Sequence, residues 1–169
     1  MAGLHVQQEG DVVIFVPGNV PSLKNSRGVG AFGQSFNSKS VQKYLRSFGI
    51  RTYSSKSKKV LLMNKKTEND FAKLFEGITF GQPLHIGFHF VRGTRHKFDF
   101  TNMVQIIADL FTAHGFIEDD NMDCFLPYPL EREGKFYSYD RQTPGVWLRL
   151  SAEKSIDNQN QDNGDLQGG

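Results

Sequence analysis

The sequence predicts an α+β fold in which a mixed β-sheet packs against helices. Three observations predict it: an alternating apolar segment at 84–91, an apolar segment of helical period at 102–114, and short β-branched and aromatic runs at 11–16 and 145–150. With 169 residues the chain can form one domain with a proper core, but not two. We expect this domain to cover residues 1–150.

The first third of the chain is expected to alternate between strand, loop and helix. Residues 11–16 (DVVIFV) predict a strand, and the Gly/Ser/Asn-rich stretch at 18–38 predicts a loop. Spaced apolar residues predict a short amphipathic helix over 40–48. Residues 51–59 are polar and basic, and we expect them to be mobile.

The middle of the chain predicts a helix over 67–75 and then a strand over 84–91 with one buried face. His85 and His89 fall on the opposite face of that strand. Two His at this spacing could ligate a metal, but we favour the interpretation that they lie on a solvated face. Further strands are expected at 123–129 and 145–150.

The helix over 102–114 has the clearest pattern in the chain. Its apolar residues recur every three or four positions, and Gly115 follows as a stop signal. Asn102 and Gln105 have the spacing of a capping box, and Thr101 could equally be the N-cap. Capping therefore explains Asn102 as well as a functional role does.

Composition and charge restrict the class of partner. The N-terminus lacks the pattern of a signal peptide, and the single Cys124 cannot form an intramolecular disulfide, which predicts a cytoplasmic protein. Residues 12–67 hold eleven Lys and Arg and no Asp or Glu, although the net charge of the whole chain is only +2. This segregation favours a polyanionic partner, and the alternative is a solvated basic loop. Residues 151–169 have almost no apolar content and predict a disordered tail.

Acidic residues flank the long helix on both sides. Asp99 precedes it, and a cluster that follows it contains Glu118, Asp119, Asp120 and Asp123. Hard oxygen ligands of this kind suit Mg²⁺ or Mn²⁺, while the alternative is an exposed acidic turn. The helix is about 19 Å long. Six extended residues after it span about 20 Å, so an antiparallel return could just bring Asp120 beside Asp99.

The segment 98–123 resembles the RusA family of Holliday junction resolvases. In that family an aspartate-rich turn ending in Asn leads into an amphipathic helix, then a Gly-aromatic pair and two aspartates. The opening VPGNVPSLKN is also similar to the family, more weakly. The matching residues of the first segment are Asp99, Asn102, Asp109, Gly115, Phe116, Asp119 and Asp120.

The resemblance implies a homodimeric endonuclease that uses Mg²⁺, with Mn²⁺ as an alternative, to cleave Holliday junctions or other branched DNA. Such proteins act in recombination, repair or phage DNA processing in a bacterial cytoplasm. The implied catalytic residues are Asp99, Asn102, Asp119 and Asp120. The implied metal ligands are Asp99, Asp119, Asp120 and Asp123. The expected DNA-binding residues are Lys24, Asn25, Arg27, Lys39, Lys43 and Lys97.

Two positions depart from the family pattern. Thr101 stands where the family places a second aspartate, and Gln105 stands where it places a catalytic lysine. Asp119, Glu118 or Asp123 could supply the missing carboxylate, and Lys97 the missing positive charge. If nothing compensates, the protein is a DNA-binding module that cuts weakly or not at all, and this is the alternative function.

Overall fold

A computed structural model of the chain describes its main secondary structure. It covers residues 6–8, 11–22, 27–29, 35–37, 39–48, 50–55, 58–63 and 70–151. Within these, side chains are described for 11–22, 39–48 and 71–151.

The described residues form short strands in the first half of the chain and a longer strand and helix in the second. The strands are β1 (Val6–Gln8), β2 (Asp11–Pro17), β3 (Arg27–Val29), β4 (Ser35–Asn37), β5 (Ile50–Ser55), β6 (Lys58–Met63), β7 (Leu84–Arg92), β8 (Phe125–Pro129), β9 (Tyr137–Tyr139) and β10 (Gly145–Leu150). The helices are α1 (Lys39–Ser47), α2 (Asp70–Leu74) and α3 (Phe100–Ala113).

The main sheet is mixed, as the sequence predicts. Five strands follow the order β1-β2-β10-β7-β8, and the short β9 also pairs with β7. Both β8 and β9 run parallel to β7, whereas the other pairs of this sheet are antiparallel. The α+β class is therefore confirmed.

The strands β7 and β8 and the helix between them form a βαβ unit, which decides where the candidate residues lie. Leu84 pairs with Phe125, so β7 and β8 begin side by side. The ring of Phe100, at the start of α3, lies 5.9 Å from that of Phe90, near the end of β7. The α3 N-terminal end of the molecule therefore contains the end of β7. The α3 C-terminal end contains the starts of β7 and β8.

The stop of α3 follows from local chemistry. Gly115 has a φ of 72°, a left-handed conformation that a side chain disfavours. The backbone N–H of Phe116 donates to the carbonyl of Phe111 at 2.9 Å, and that of Gly115 donates to Thr112 at 3.0 Å. These two bonds form a Schellman motif, so the predicted stop at Gly115 is confirmed.

Phenylalanine dominates the core around the α3 C-terminal end. We call five of these side chains the Phe cluster. Their ring centroids lie between 4.8 and 6.2 Å apart in the contacting pairs. The members are Phe71, Phe75, Phe80, Phe111 and Phe116.

The helix α1 packs its apolar face inward through Val41, Tyr44 and Leu45, so the predicted amphipathic helix is confirmed.

The strand β8 lies on one side of the sheet and contains two exposed prolines, Pro127 and Pro129. The backbone N–H of Leu130 donates to the carbonyl of Phe88 at 2.9 Å. Because strand residues alternate in direction, the even-numbered amides here point to β7 and the odd-numbered positions point away from it. The amide of Phe125, which also points away, donates to the carbonyl of Asn121 at 2.9 Å.

Two predicted loops contain hairpins instead. Within 18–38, β3 pairs with β4, and within 51–59, β5 pairs with β6 in a hairpin that extends to Met63. Three-residue strands are too short to show a period in sequence, which explains the first error. In the second, Thr52 and Tyr53 are strand formers opposite Leu61 and Val60, a cross-strand pattern that the neighbouring basic residues Lys58 and Lys59 hide in the sequence.

The predicted solvated face of β7 is only partly solvated. His85 is exposed as expected, but His89 is buried, so that expectation was wrong for His89. Its Nε2 lies 3.0 Å from Ser138 Oγ and its Nδ1 lies 3.2 Å from the Leu130 carbonyl. The segment leading into β9, which the sequence did not predict, covers this face. Within the described residues no helix is long and apolar enough to cross a membrane. The predicted tail lies outside the described residues, apart from Ser151.

Candidate functional site

Asp99 is the N-cap of α3. Its Oδ1 accepts a hydrogen bond from the backbone N–H of Thr101 at 3.0 Å and another from Thr101 Oγ1 at 2.6 Å. The sequence predicted Asn102 or Thr101 as the cap, and both predictions were wrong, because α3 begins two residues earlier than expected. An extended residue with a short acidic side chain satisfies the first free amides of a helix, so Asp99 has a structural role of its own.

Asn102 is therefore inside the helix rather than at its boundary. Its Nδ2 is buried and has no acceptor among the described residues. Gln105, one turn further on, is exposed. An unsatisfied buried amide is costly, and capping does not explain Asn102, because Asp99 is the N-cap.

The acidic cluster after α3 is an exposed loop stabilised by its own hydrogen bonds. Asp119 accepts from the backbone N–H of Asp120 at 2.9 Å and from Asn121 Nδ2 at 3.1 Å. These bonds hold the pKa of the Asp119 carboxyl below its usual value. Asn121 in turn accepts from the backbone N–H of Asp123 at 2.9 Å. This geometry matches the exposed acidic turn that the sequence left open as an alternative.

Within a single chain, Asp99 lies far from this acidic loop. The return beside α3 is made by β8, which begins at Phe125, and not by the six residues before Asp120. Asp99 and Asp120 therefore lie at opposite ends of a helix about 21 Å long. Among the described residues no three His, Cys, Asp or Glu side chains are grouped so that they could hold a metal. The four predicted metal ligands of a single chain do not fit a shared Mg²⁺ site.

A cleft of about 780 Å³ opens at the α3 N-terminal end, on both sides of Asp99 in sequence. We call it the basic-aromatic cleft. None of its lining residues is acidic. The lining residues are Arg92, Thr94, Arg95, His96, Lys97, Phe98, Phe100, Pro129, Phe136, Tyr137 and Tyr139.

Arg92 is the buried cation of this cleft. It is only 3% exposed, and its guanidinium donates to the Val20 carbonyl and to Ser22 Oγ, both at 3.0 Å. Its Nε has no acceptor among the described residues. Burial lowers the pKa of the guanidinium from its ordinary value. Burying a charge beside neutral hydrogen-bond partners is energetically costly, and such groups concentrate at functional sites.

Aromatic rings form the other wall of the cleft. The ring of Phe98 meets that of Tyr137 edge-on at 5.1 Å, and the Arg92 guanidinium lies 4.9 Å from the Phe98 centroid. The Arg95 guanidinium lies 4.7 Å from the Tyr139 centroid. Phe136 and Tyr137 are each 56% exposed. Large aromatic side chains exposed together beside cations are typical of surfaces that bind a partner.

The predicted DNA-binding residues fall in three groups. Lys39 and Lys43 are exposed on α1, and Lys97 lines the basic-aromatic cleft. Arg27 lies in β3, where side chains are not described. Lys24 and Asn25 lie outside the described residues.

Residues 19–22, which precede Lys24, are hydrogen-bonded to residues at the basic-aromatic cleft. Arg92 bonds to Val20 and Ser22 as described above, and the backbone N–H of Gly93 donates to Asn19 Oδ1 at 3.1 Å. Residues 19–22 thus contact Arg92 and Gly93 at the end of β7, beside the cleft that Phe98 and Phe100 also line.

Sequence reasoning missed Arg92 and the exposed rings of Phe136, Tyr137 and Tyr139. The available signal was the run GKFYSYDR, residues 134–141, in which three aromatic residues stand among polar ones with no apolar partners of regular period. Arg92 gave no signal, because a charged residue at the end of an apolar strand usually marks the point where the strand reaches solvent.

Compared with known proteins, the chain matches no protein-family model and no curated protein sequence.

Proposed function

We propose that this protein is a RusA-type endonuclease that binds branched DNA and, as a homodimer with Mg²⁺ or Mn²⁺, hydrolyses it. The observation that supports the proposal best is the basic-aromatic cleft, which is lined by the neighbours of Asp99 and by Arg92, the residue that holds Ser22 of the opening segment. The resemblance of residues 98–123 supplies the reaction, and the cleft supplies a surface suited to nucleic acid.

The chemistry of the cleft suits DNA because basic residues form one wall and aromatic rings form the other. Arg95 and Lys97 offer positive charge to phosphates, and Tyr137 offers a ring face to a base. Such contacts do not read sequence, so binding should weaken as salt increases and should depend little on base composition. The exposed Lys39 and Lys43 on α1 add positive charge outside the cleft.

Cleavage requires a second chain in this proposal, because one chain holds Asp99 and Asp120 at opposite ends of α3. A four-way junction presents two symmetric strands to cut, and a C2 dimer matches that symmetry. Two chains could then bring Asp99 of one protomer to the acidic loop of the other. The carboxylates would reach the number that a divalent ion requires only in that assembly.

The first test is a Mg²⁺ titration with a labelled synthetic four-way junction, using wild type, Asp99→Asn and Asp120→Asn. We expect paired nicks from wild type and none from either variant, with junction affinity unchanged within about twofold. Asn keeps the capping ability of Asp99, so loss of cleavage in that variant does not reflect loss of the helix start. Cutting by Asp120→Asn at the wild-type rate would exclude Asp120 from the site.

Mixing the two inactive variants tests the shared site. Half of the dimers then contain one chain of each kind, and one of their two sites has both Asp99 and Asp120 intact. We expect about a quarter of wild-type nicking to return in the mixture. If the mixture stays inactive although wild type cuts, the two carboxylates do not belong to different protomers.

A second candidate function is structure-selective DNA binding without cleavage. The observation that favours it is Thr101, which replaces the family's second aspartate and donates to Asp99 Oδ1 at 2.6 Å, thereby occupying part of that carboxylate. Binding of the labelled junction with no nicks at any Mg²⁺ or Mn²⁺ concentration would identify this function. Comparing junctions, forks and flaps side by side would identify the preferred branched form in either case.

A further inference from the structure

We infer that the basic-aromatic cleft binds one unpaired nucleotide of a DNA strand, with its base against Tyr137 and its phosphate at Arg95 and Lys97. This inference rests on the proposed function, since it takes the ligand to be DNA, and it names the part of branched DNA that enters the cleft. The choice of an unpaired nucleotide as the ligand follows from the size, charge and exposed rings of the cleft.

Size is the first argument. A volume of about 780 Å³ lies in the range of pockets that hold a small molecule, roughly 300–1,000 Å³. A nucleotide fits such a pocket, whereas a duplex is recognised along an extended surface. Bases are available to a pocket only where they are unpaired, and branch points and single strands provide such bases.

The exposed rings are the second argument. Among the residues that the structure describes, the large hydrophobic side chains left exposed are Met122, Phe136, Tyr137 and Tyr139. The last three line this one cleft. Phe98 meets Tyr137 edge-on, with an angle of 80° between the ring planes, and so supports that ring from within. A supported but uncovered aromatic ring is the usual platform for stacking a base.

Charge is the third argument. Arg95, His96 and Lys97 are consecutive, exposed and in the lining of the cleft, which contains no Asp or Glu. Arg92, almost fully buried in the same lining, has an Nε that no described residue accepts from. A ligand with a planar ring can stack on the aromatic wall, and a negatively charged group on the same ligand can bind the basic wall. A nucleotide has both features.

The test uses a short single-stranded DNA that contains a fluorescent adenine analogue, in the absence of divalent metal. We expect binding to quench the analogue, as stacking does. Tyr137→Ala should weaken binding on the order of 5- to 150-fold, the range reported by alanine substitution of a stacked ring. Tyr137→Phe keeps the ring and should bind like wild type.

A matched control is available at the other end of the molecule. Met122 is the remaining exposed large side chain, and Met122→Ala should leave both quenching and affinity unchanged. For charge, the double variant Arg95→Ala/Lys97→Ala should reduce the slope of log affinity against log salt by about 0.7, because both cations neutralise the same phosphate of a single strand. Lys73→Ala, an exposed lysine on α2, should not change that slope.

The inference is overturned if Tyr137→Ala binds single strands like wild type, if Met122→Ala loses as much affinity, or if the free nucleotide binds as tightly as the strand. Circular dichroism of each variant separates misfolding from lost contact. If Tyr137→Ala fails to fold, the salt slope of Arg95→Ala/Lys97→Ala decides, and an unchanged slope overturns the inference. Absence of junction cleavage with intact quenching counts against the proposed endonuclease only. Intact cleavage with no effect of Tyr137→Ala on single-strand binding counts against the pocket only.

Discussion

Aromatic side chains cluster at both ends of α3, but one group is buried and the other is exposed. At the α3 C-terminal end, Phe71 and Phe111 are fully buried at the centre of the Phe cluster. At the α3 N-terminal end, Phe136 and Tyr137 are more than half exposed and stand beside Arg95. Burying a Phe stabilises a fold by about 1.5–3 kcal/mol, so the exposed rings forgo most of that gain.

The difference separates stability from recognition within one residue class. The Phe cluster contacts other apolar rings on several sides and needs no ligand. The cleft rings have one supported side and one open side, and the groups nearest to them are cations. Residues that contribute little to the fold yet remain large, apolar and exposed are the ones for which binding is the better explanation.

The largest expected effect is the loss of stability when the Phe cluster is disrupted. Phe111→Ala removes a side chain at the centre of the Phe cluster and should lower the free energy of unfolding by about 3–5 kcal/mol, measured by urea denaturation. Phe136→Ala removes the same group from the cleft and should change that free energy by no more than about 0.5 kcal/mol. If both variants lose the same stability, the cleft rings are part of the core and the comparison is wrong.

An intermediate effect on stability is expected at the α3 N-terminal end, where Asp99 caps the helix. Asp99→Ala removes the N-cap of α3 and should cost about 1 kcal/mol of unfolding free energy, whereas Asp99→Asn should keep most of it. Asp120→Asn, in the exposed loop at the other end, serves as the comparison and should stay within about 0.5 kcal/mol of wild type. Equal stability of wild type and Asp99→Ala would contradict the capping role.

The smallest expected effect is a dependence of stability on pH at the α3 C-terminal end, beside the Phe cluster. The ring of His114 lies 4.8 Å from that of Phe71, and burial lowers the pKa of His114 below its ordinary value. The unfolded chain therefore binds a proton more readily, so stability is complete above about pH 6.5 and declines as the pH falls below it. The pKa of His89 is lowered in the same direction, chiefly by burial.

The measurement is urea denaturation at several pH values between about 7 and 5. The loss of stability on acidification should be smaller in His114→Gln than in wild type, and the remainder is expected from His89. The lowered pKa of Asp119 acts in a separate range, because a carboxyl with a lowered pKa loses its contribution only below about pH 4. An unchanged pH dependence in His114→Gln would assign the whole effect elsewhere.

The sequence predicted the strand at 84–91 and the helix that stops at Gly115 from their apolar period, and the strands at 11–16 and 145–150 from their β-branched and aromatic runs. It did not predict β9, which has three residues and no buried alternation. It placed the start of α3 too late, because Thr101 and Asn102 are both favourable N-cap residues and lie just after the actual cap, Asp99.

The candidate site was less predictable than the fold, because it depends on long-range contacts. Spacing along the chain showed that Asp120 could reach Asp99, but it could not show that β8, rather than the acidic loop, makes the return. The contact between Arg92 and Ser22 joins residues that are 70 positions apart in the chain. Nothing in the local sequence of either residue indicates that pairing.

The two prolines of β8 have a consequence for how copies of this protein can meet. Each replaces an outward amide, and the third outward amide, that of Phe125, is already used by Asn121. Along β8 the sheet therefore has no free N–H row on which another strand could grow. A regular intermolecular β-ladder therefore cannot begin at this border, so a subunit that docks there must be held by side chains and by the outward carbonyls of β8.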